Sequence, residues 1–247
     1  MKTRNLLMVL CLCAGTVLAQ DAKPAAPVTS GATVEITAEP SHHLKIDNPY
    51  IRAFYVEVAP QQSTLMHHHG KDYMAVAFGH TEIDSVAPDG TVKHVVLEDG
   101  DVRYTPAGLT HVATDKASTT FRNATIELME NNGHPVCVNK CQDDPRAKDW
   151  PALHAGSKLI GYGDTFRITE ATIQPKQTIS TDEPFPHLVV VLSDMHVHTG
   201  PEGSGGMDFN QKAGDMIFHG GHADHGLTNT SDQPLRLVVV EFKPAKE

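Results

Sequence analysis

The sequence is short of positive charge and of long apolar stretches. Its 20 lysine and arginine residues face 30 acidic residues, which gives a net charge of −10. Such an acidic surface repels phosphate backbones and anionic membranes, so nucleic acids are excluded as partners. A transmembrane helix needs about 20 apolar residues, and no stretch after the N-terminal segment is long enough. We therefore expect no nucleic-acid partner and, once that segment is removed, no membrane contact.

The N-terminal apolar stretch predicts export. Lys2 and Arg4 precede an apolar run over residues 6–18, and small residues suited to signal peptidase follow it. A charged start, a short apolar run and a cleavage site make a secretory signal. Residues 1–19 are thus predicted to be a signal peptide, and the mature protein to be periplasmic or secreted.

Cysteine is also scarce, because two of the four cysteines lie in the signal and only Cys137 and Cys141 remain. An even pair in an oxidising compartment favours a disulfide. The alternative is a metal clip formed with His134, but a C-x3-C pair supplies too few ligands for a closed zinc site. We expect a Cys137–Cys141 disulfide.

No long stretch keeps a helical period, whereas short β-type runs occur along most of the chain. Valine, isoleucine and aromatic residues dominate these runs, and Gly, Pro, Asn and Asp separate them. The pattern predicts an all-β protein, with one short helix somewhere in 142–154. The predicted strands include residues 50–58, 73–78, 92–97, 126–129, 166–173, 188–192 and 235–242.

The chain also repeats itself. A shift of 115 residues places Arg52 on Arg167, and a shift of 114 places His111 on His225, with further matches in the same order. Ordered agreement over a long stretch indicates two similar units, each long enough to close a small barrel or jelly roll.

The repeat suggests a domain plan. After the signal we predict a flexible leader over 20–40, because its first part is rich in Ala, Pro, Ser and Thr without an apolar period. The first domain is expected over 41–130 and the second over 158–247. The intervening segment, 131–157, is the predicted linker and carries the cysteine pair.

The strongest local signal is the run His67-His68-His69-Gly-Lys-Asp72. Alternate side chains of a strand share a face, so His67 and His69 point the same way and His68 points the opposite way. Two imidazoles with a carboxylate just past the turn form part of a cage for a transition metal. The alternative is a polar loop whose histidines are simply hydrated.

A second segment supplies another histidine. Gly100 opens a turn and a strand, a Pro106-x-Gly108 turn follows, and His111 begins the next strand. Proline and glycine fix a tight reversal, which directs His111 inward. The two segments together predict imidazoles that converge from separate strands.

The two segments resemble the motifs of the cupin superfamily, G-x5-H-x-H-x3,4-E-x6-G and G-x5-P-x-G-x2-H-x3-N. The second motif matches from Gly100 to His111 with every spacing kept, and Asp115 stands where Asn is usual. In the first, Asp72 replaces Glu after a shorter gap, and Gln61 replaces the opening Gly. The resemblance implies two jelly-roll (double-stranded β-helix) cupin barrels in tandem, a bicupin.

The resemblance also implies a ligand set. His67, His69, Asp72 and His111 would bind one divalent transition metal, namely iron, manganese, nickel, copper or zinc. The short gap before Asp72 leaves open that it reaches the metal poorly. It also leaves open a one-residue slip that turns His68 to the inner face.

The second half keeps the template with altered ligands. The alignment places Asp182 on His67 and His187 on Asp72, and it retains His225. Asp182, His187 and His225 form a second candidate set of the two-histidine-one-carboxylate type. The alternative, which we favour, is a metal-free barrel. The isolated histidines are predicted to lie on the surface: His42, His43, His196, His198 and His219.

Three imidazoles and a carboxylate leave one or two positions of a six-coordinate ion for water, substrate or dioxygen. Cupins with this ligand set include dioxygenases, oxidative decarboxylases and isomerases, so we expect an exported, dioxygenase-type oxidoreductase acting on a small organic substrate. The alternatives are a non-catalytic module that binds a sugar or small metabolite and a metal-handling protein. Exposed edge strands favour a homodimer. Candidate cavity residues are Tyr73, Arg103, Tyr104 and Glu127.

Overall fold

The structure, a computed structural model, describes residues 32–129, 135–139, 141, 144, 156–183, 185–200, 205–221 and 223–242, and not the side chains at 180–183 and 223–225. The predicted signal peptide, most of the predicted leader and nearly all of the candidate helix at 142–154 lie outside the described residues. Within the described ranges, no helix is long and apolar enough to cross a membrane.

The all-β prediction is confirmed, since the described elements are strands except for short 3-10 turns, of which Ile36–Ala38 lies in the first half. The first half forms the strands β1 Val34–Glu35, β2 His42–Asp47, β3 Ile51–Val58, β4 His67–His68, β5 Tyr73–Ala77, β6 Thr81–Val86, β7 Val92–Leu97, β8 Val102–Thr105, β9 Thr110–Asp115 and β10 Phe121–Leu128. The second half forms β11 Pro135–Val138, β12 Ser157–Gly163, β13 Phe166–Ile173, β14 Thr178–Glu183, β15 His187–Val191, β16 Met195–Thr199, β17 Met207–Gln211, β18 Met216–His219, β19 Ala223–Asn229 and β20 Leu235–Phe242.

Each half is a pair of sheets of the jelly-roll type. In the first half the strand orders are β1-β4-β9-β6-β7 and β2-β3-β10-β5-β8. In the second half they are β14-β19-β16-β17 and β11-β12-β13-β20-β15-β18. Strands distant in sequence are neighbours in each sheet, which brings residues from separate motifs together.

The two halves share one hydrophobic core. On β3, alternate residues serve different faces: Phe54 and Val56 fill the interior of the first half, whereas Ile51 and Ala53 join a cluster that includes Phe166 of the second half. Fully burying one large apolar side chain contributes about 1.5–3 kcal/mol. Because this cluster draws on both halves, each half stabilises the other.

The first half begins earlier than predicted. Val34 and Glu35, placed in the predicted leader, pair in parallel with His67 and His68, and Ile36 is buried in the core of this half. The pairing partners lie about thirty residues further along the chain, beyond the reach of any local pattern.

The predicted linker likewise contains structure. Residues Pro135–Val138 form β11, which pairs with β12. In the structure Cys137 and Cys141 are joined by a disulfide, with 5.8 Å between their Cα atoms, and Cys141 is fully buried. The bond ties the end of β11 to a buried point beside β12.

Candidate metal centre

His67 and His111 face each other across adjacent strands. The antiparallel pairing of β4 with β9 sets them directly opposite, and their ring centroids are 4.6 Å apart. Both are buried, with relative exposures of 1% and 8%. The two motifs therefore meet at a shared point of one sheet.

His69 joins this pair from the end of β4. Its backbone N–H donates to the Leu109 carbonyl over 2.9 Å, and the Gly108 N–H donates to the His69 carbonyl over 2.8 Å. Gly108 has a φ of 94°, a conformation that favours glycine. The imidazole stacks on Tyr73 with 4.1 Å between centroids and lies 5.0 Å from the His67 ring.

His42 completes the group, and the prediction that it lies on the surface is wrong. Its ring centroid is 4.9 Å from that of His67. The ligand nitrogens of His42, His67 and His69 all lie within 4.8 Å of one another. A buried carboxylate just before β2, that of Glu39, draws the His42 ring inward.

Glu39 was not singled out from the sequence. It follows the 3-10 turn anchored by Ile36, and its relative exposure is 3%. Its carboxylate accepts hydrogen bonds from His42 Nδ1 (2.6 Å) and from the backbone N–H groups of Ser41 (2.8 Å) and Leu65 (3.1 Å). Burial alone would raise the pKa of Glu39, but these hydrogen bonds and the nearby His42 outweigh it and the pKa is lowered. The group is therefore an ionised, fully engaged carboxylate.

The Nδ1 atoms of two other imidazoles, those of His67 and His111, also have hydrogen-bonding partners. His67 Nδ1 donates to the Leu65 carbonyl over 2.9 Å, and His111 Nδ1 is hydrogen-bonded to Ser85 Oγ over 2.7 Å. Partners of this kind fix the ring orientation and tautomer of metal-binding histidines. They leave Nε2 of each ring for another ligand.

The group fits a metal ion on a further ground. Nδ1 of His69 is buried and has no hydrogen-bonding partner among the described residues. An unsatisfied buried nitrogen is unfavourable, and a metal ion bound to this imidazole would offset that cost. Imidazole is a good ligand for zinc, copper, iron and nickel.

These imidazoles are held neutral. Burial lowers the pKa of His67 to about 4, that of His69 to about 2 and that of His111 to about 3, and neighbouring histidines add to the effect for His69 and His111. Only a neutral imidazole binds a metal. At neutral pH the rings therefore bind without losing a proton.

Asp72 is not brought to the imidazole cluster. Its carboxylate accepts hydrogen bonds from the Tyr104 hydroxyl and, over 2.7 Å, from the Ala107 N–H. It thus braces the turn before β9 instead. Among the described residues, the metal-binding group contains histidines and no carboxylate. His68 is turned away, and its Nδ1 is hydrogen-bonded to Thr110 Oγ1 over 3.0 Å.

The imidazoles open into a cavity of about 60 Å³. Its wall is mostly apolar and hydroxyl-bearing, with residues such as Val56, Ile83, Leu97 and Thr125. Of the candidate lining residues, Tyr73 and Arg103 contribute to it, whereas Glu127 and Tyr104 are not among the described lining residues. The cavity is therefore small, and its wall is largely apolar.

The second half aligns differently from the sequence prediction. Glu127 pairs with Tyr73, and its equivalent Glu241 pairs with His187, so His187 corresponds to Tyr73 rather than to an acidic ligand. His187 is buried and stacks on His219, with 4.9 Å between the centroids. The predicted surface position of His219 is therefore wrong as well.

Asp182 is shifted too, whereas His225 keeps its predicted place as the equivalent of His111. The register pairs Thr181 with His225, as it pairs His67 with His111. Asp182 is thus one position beyond the equivalent of His67. The side chains of Asp182 and His225 lie outside the described residues, so this set stays a prediction.

Solved structures share this architecture over most of the chain. AerE from Microcystis aeruginosa gives a TM-score of 0.54 at 12% identity, covering 83% of this chain and 99% of AerE. The formate complex of Lactobacillus farciminis oxalate decarboxylase gives 0.54 at 13%, covering 83% and 85%. Salicylate 1,2-dioxygenase from Pseudaminobacter salicylatoxidans gives 0.54 at 14%, covering 81% and 76%. No family model and no curated protein matches the sequence. At identities this low, the structural likeness shows a common fold alone.

Proposed function

Because this chain is a two-domain cupin in fold, we propose that it is an exported, metal-dependent enzyme that acts on a small organic substrate, with an oxygenase-like reaction. The convergence of His42, His67, His69 and His111 on one buried cavity carries the proposal. Solved proteins of this fold include a decarboxylase and a dioxygenase.

The ligand chemistry favours a particular range of metals. Manganese prefers oxygen ligands, whereas imidazole suits iron, nickel, copper and zinc. Since the described group holds imidazoles and no carboxylate, we propose one of these four metals. When bound, such an ion supplies Lewis acidity or a point where substrate and dioxygen meet.

The chain's own residues prepare the cavity for chemistry. Tyr73 stacks on His69 and keeps its ring in place. Burial raises the pKa of Tyr73, so its phenol stays protonated at neutral pH and is available as a hydrogen-bond donor in the cavity. The apolar wall formed by residues such as Val56 and Ile83 excludes bulk water, which strengthens electrostatic interactions inside.

Export rests on two features. Segment 1–19 has the features of a secretory signal peptide. A Cys137–Cys141 disulfide suits an oxidising compartment. Cleavage after residue 19 in the periplasmic or secreted protein, read by N-terminal sequencing, tests this part. An intact N terminus on a cytosolic protein would contradict it.

The cavity volume separates the enzyme from a sugar-binding module. A volume of about 60 Å³ holds roughly four to six water-sized groups, at 10–15 Å³ for each. A hexose has about twice as many non-hydrogen atoms, so a sugar does not fit without rearrangement. Small two- to four-carbon compounds fit better.

Metal analysis of the purified mature protein tests the proposal. We expect about one ion per chain in the wild type and almost none in a His67→Ala/His111→Ala double variant. His68→Ala is the matched control, because its ring is turned away from the cluster. Oxygen uptake with a panel of small acids, alcohols and aldehydes then tests turnover, with chelated protein as the blank. Equal metal in the wild type and the double variant would remove the site from the first half.

A further inference from the structure

The cavity next to the imidazoles has an unbalanced set of charges. Among its described lining residues there is no aspartate or glutamate, and Arg103 is the one lysine or arginine. Arg103 lies on β8 opposite Ala75 of β5, and Ala75 also lines the cavity. The guanidinium of Arg103 therefore lies in this wall, and no described lining residue is an acidic partner for it.

Arg103 is half-buried, and the described residues give it no ion pair or side-chain hydrogen bond, in contrast to Arg52 and Arg167. Arg52 pairs with Glu127 over 3.4 Å, and Arg167 pairs with Glu241. The side chain of Arg103 is nonetheless close to the site, because it lines the same cavity as His69 and His111. Its hydrogen-bonding capacity is available to a ligand.

A metal ion would increase the imbalance. Neutral imidazoles leave the full charge of a divalent ion in place, and the nearest compensation is the carboxylate of Glu39 behind His42. With the guanidinium of Arg103 added, the buried site carries excess positive charge. Burying unpaired charge is strongly unfavourable, and an anionic ligand would relieve it.

Resting on the proposed function, we infer that Arg103 and the metal centre together bind a small carboxylate, and that Arg103 selects anionic over neutral substrates. Arg103 pairs with one carboxylate through its planar guanidinium, which offers parallel donors to two oxygens. The cavity volume of about 60 Å³ limits the ligand to roughly four to six non-hydrogen atoms.

Arg103 also borders a second, wider space beside the small cavity. Leu97 and Arg103 line both the small cavity and a wider groove of about 400 Å³. The far wall of this groove is the segment from Pro135 to Asn139, which the Asn139 side chain holds by donating to the Val102 carbonyl over 3.3 Å. Arg103 therefore borders the groove as well as the cavity.

Binding of acetate and its neutral isostere acetamide tests the inference. Titration calorimetry is run on metal-loaded protein in a chloride-free buffer, with wild type, Arg103→Gln, Arg103→Lys and the exposed control Arg122→Gln. We expect acetate to bind the wild type and the control, and its affinity to fall roughly 10- to 100-fold in Arg103→Gln, as for loss of a charged hydrogen bond. Arg103→Lys should fall between them, and acetamide should bind weakly throughout.

Several results would overturn the inference. One is equal acetate affinity in Arg103→Gln and wild type at equal metal content, and another is acetamide binding as tightly as acetate. Melting temperature and metal content of both Arg103 variants establish that they are folded. If the wild type takes up no metal, the proposed function fails. Acetate titration of the metal-free protein then decides the inference alone: an affinity that depends on Arg103 supports it, and absent or Arg103-independent binding overturns it.

Discussion

Glu39 accepts a 2.6 Å hydrogen bond from Nδ1 of His42, and this contact brings a histidine outside both sequence motifs into the metal centre. The carboxylate fixes the tautomer that leaves Nε2 free and increases the basicity of the ring. Two further backbone donors hold the carboxylate itself in position. The fourth imidazole is therefore as firmly oriented as those on β4 and β9.

Substituting this carboxylate should weaken metal binding without removing any ligand. We expect Glu39→Gln to reduce metal affinity roughly 10- to 100-fold, the usual effect of losing such a partner. Competition with a chromophoric chelator measures the change. Glu57→Gln is the control, because Glu57 is exposed and its carboxylate contacts Arg122 and the Tyr55 hydroxyl, away from the histidines. An unchanged affinity in Glu39→Gln would show that the His42 ring is not a ligand.

The variant Asp72→Asn distinguishes a role of Asp72 in holding the turn before β9 from a role as a metal ligand. Because its carboxylate accepts from Tyr104 and Ala107, the variant should lose about 1–2 kcal/mol of unfolding free energy while keeping its metal. Urea denaturation and elemental analysis give the two quantities. Loss of the metal from a folded Asp72→Asn protein would restore the ligand role that the resemblance implied.

The stability of the metal-free protein should depend on pH. Burial lowers the pKa of His67, His69 and His111 to about 4, 2 and 3, from an ordinary value of 6.5. Below pH 6.5 these histidines therefore bind protons in the unfolded chain, whereas in the folded chain they stay unprotonated until the pH reaches the lowered values. The stabilisation is complete above pH 6.5 and is lost as the pH falls towards these lowered values.

Denaturation in the presence of a chelator at pH 7.5 and at pH 5 measures this dependence. His69→Asn should flatten the profile, whereas His196→Asn, at an exposed position, should leave it as steep as in the wild type. If all three proteins lose the same stability on acidification, the buried imidazoles are not its source.

Gln61 stands where the cupin motif has glycine, and its φ of 60° explains the family's preference. The left-handed conformation costs a non-glycine residue about 1–2 kcal/mol. Here the Gln61 side chain offsets part of that cost by donating to the carbonyls of Lys116 (3.1 Å) and Ala117 (3.2 Å). In the second half Lys176, with a φ of 62°, donates in the same way to Thr230.

Two substitutions separate the strain from the hydrogen bonds. Gln61→Ala keeps the strained φ and loses both bonds, so we expect it to destabilise by about 1–2 kcal/mol. Gln61→Gly loses the bonds but also the strain, so its unfolding free energy should stay within about 1 kcal/mol of the wild type. Denaturant unfolding of both variants measures this, and equal destabilisation would show that the left-handed φ carries no strain.

The sequence predicted the strands whose bounds are set by local alternation and turn residues. Strands such as Val92–Leu97 and Phe166–Ile173 match the prediction at both ends, because alternation and turn residues define them. The convergence of His67, His69 and His111 follows from strand alternation together with the spacing of the two motifs. The strand bounds need no knowledge of which strands become neighbours, whereas the meeting of His67 with His111 depends on the pairing of β4 with β9.

The misplaced residues depend on contacts between distant parts of the chain. Glu39 bonds to the backbone of Leu65, and Asp72 to that of Ala107, and neither pairing leaves a periodic trace in the sequence. A Glu-x-x-His signal at positions 39 and 42 was the one local indication. The one-residue error at Asp182 arose because the shift between the halves changes before His67: Ser63 is equivalent to Thr178, whereas His67 is equivalent to Thr181. Export, the homodimer and the second metal set stay predictions.

The shared core means that the duplicated halves are no longer separable parts. A chain ending at residue 129 would carry Ile51, Met74 and Ile126 on an open sheet face in contact with water, and such faces aggregate. The second half therefore covers the apolar sheet face of the half that contains the histidine group. We therefore expect the second half to be required for the solubility of the half that contains the histidine group.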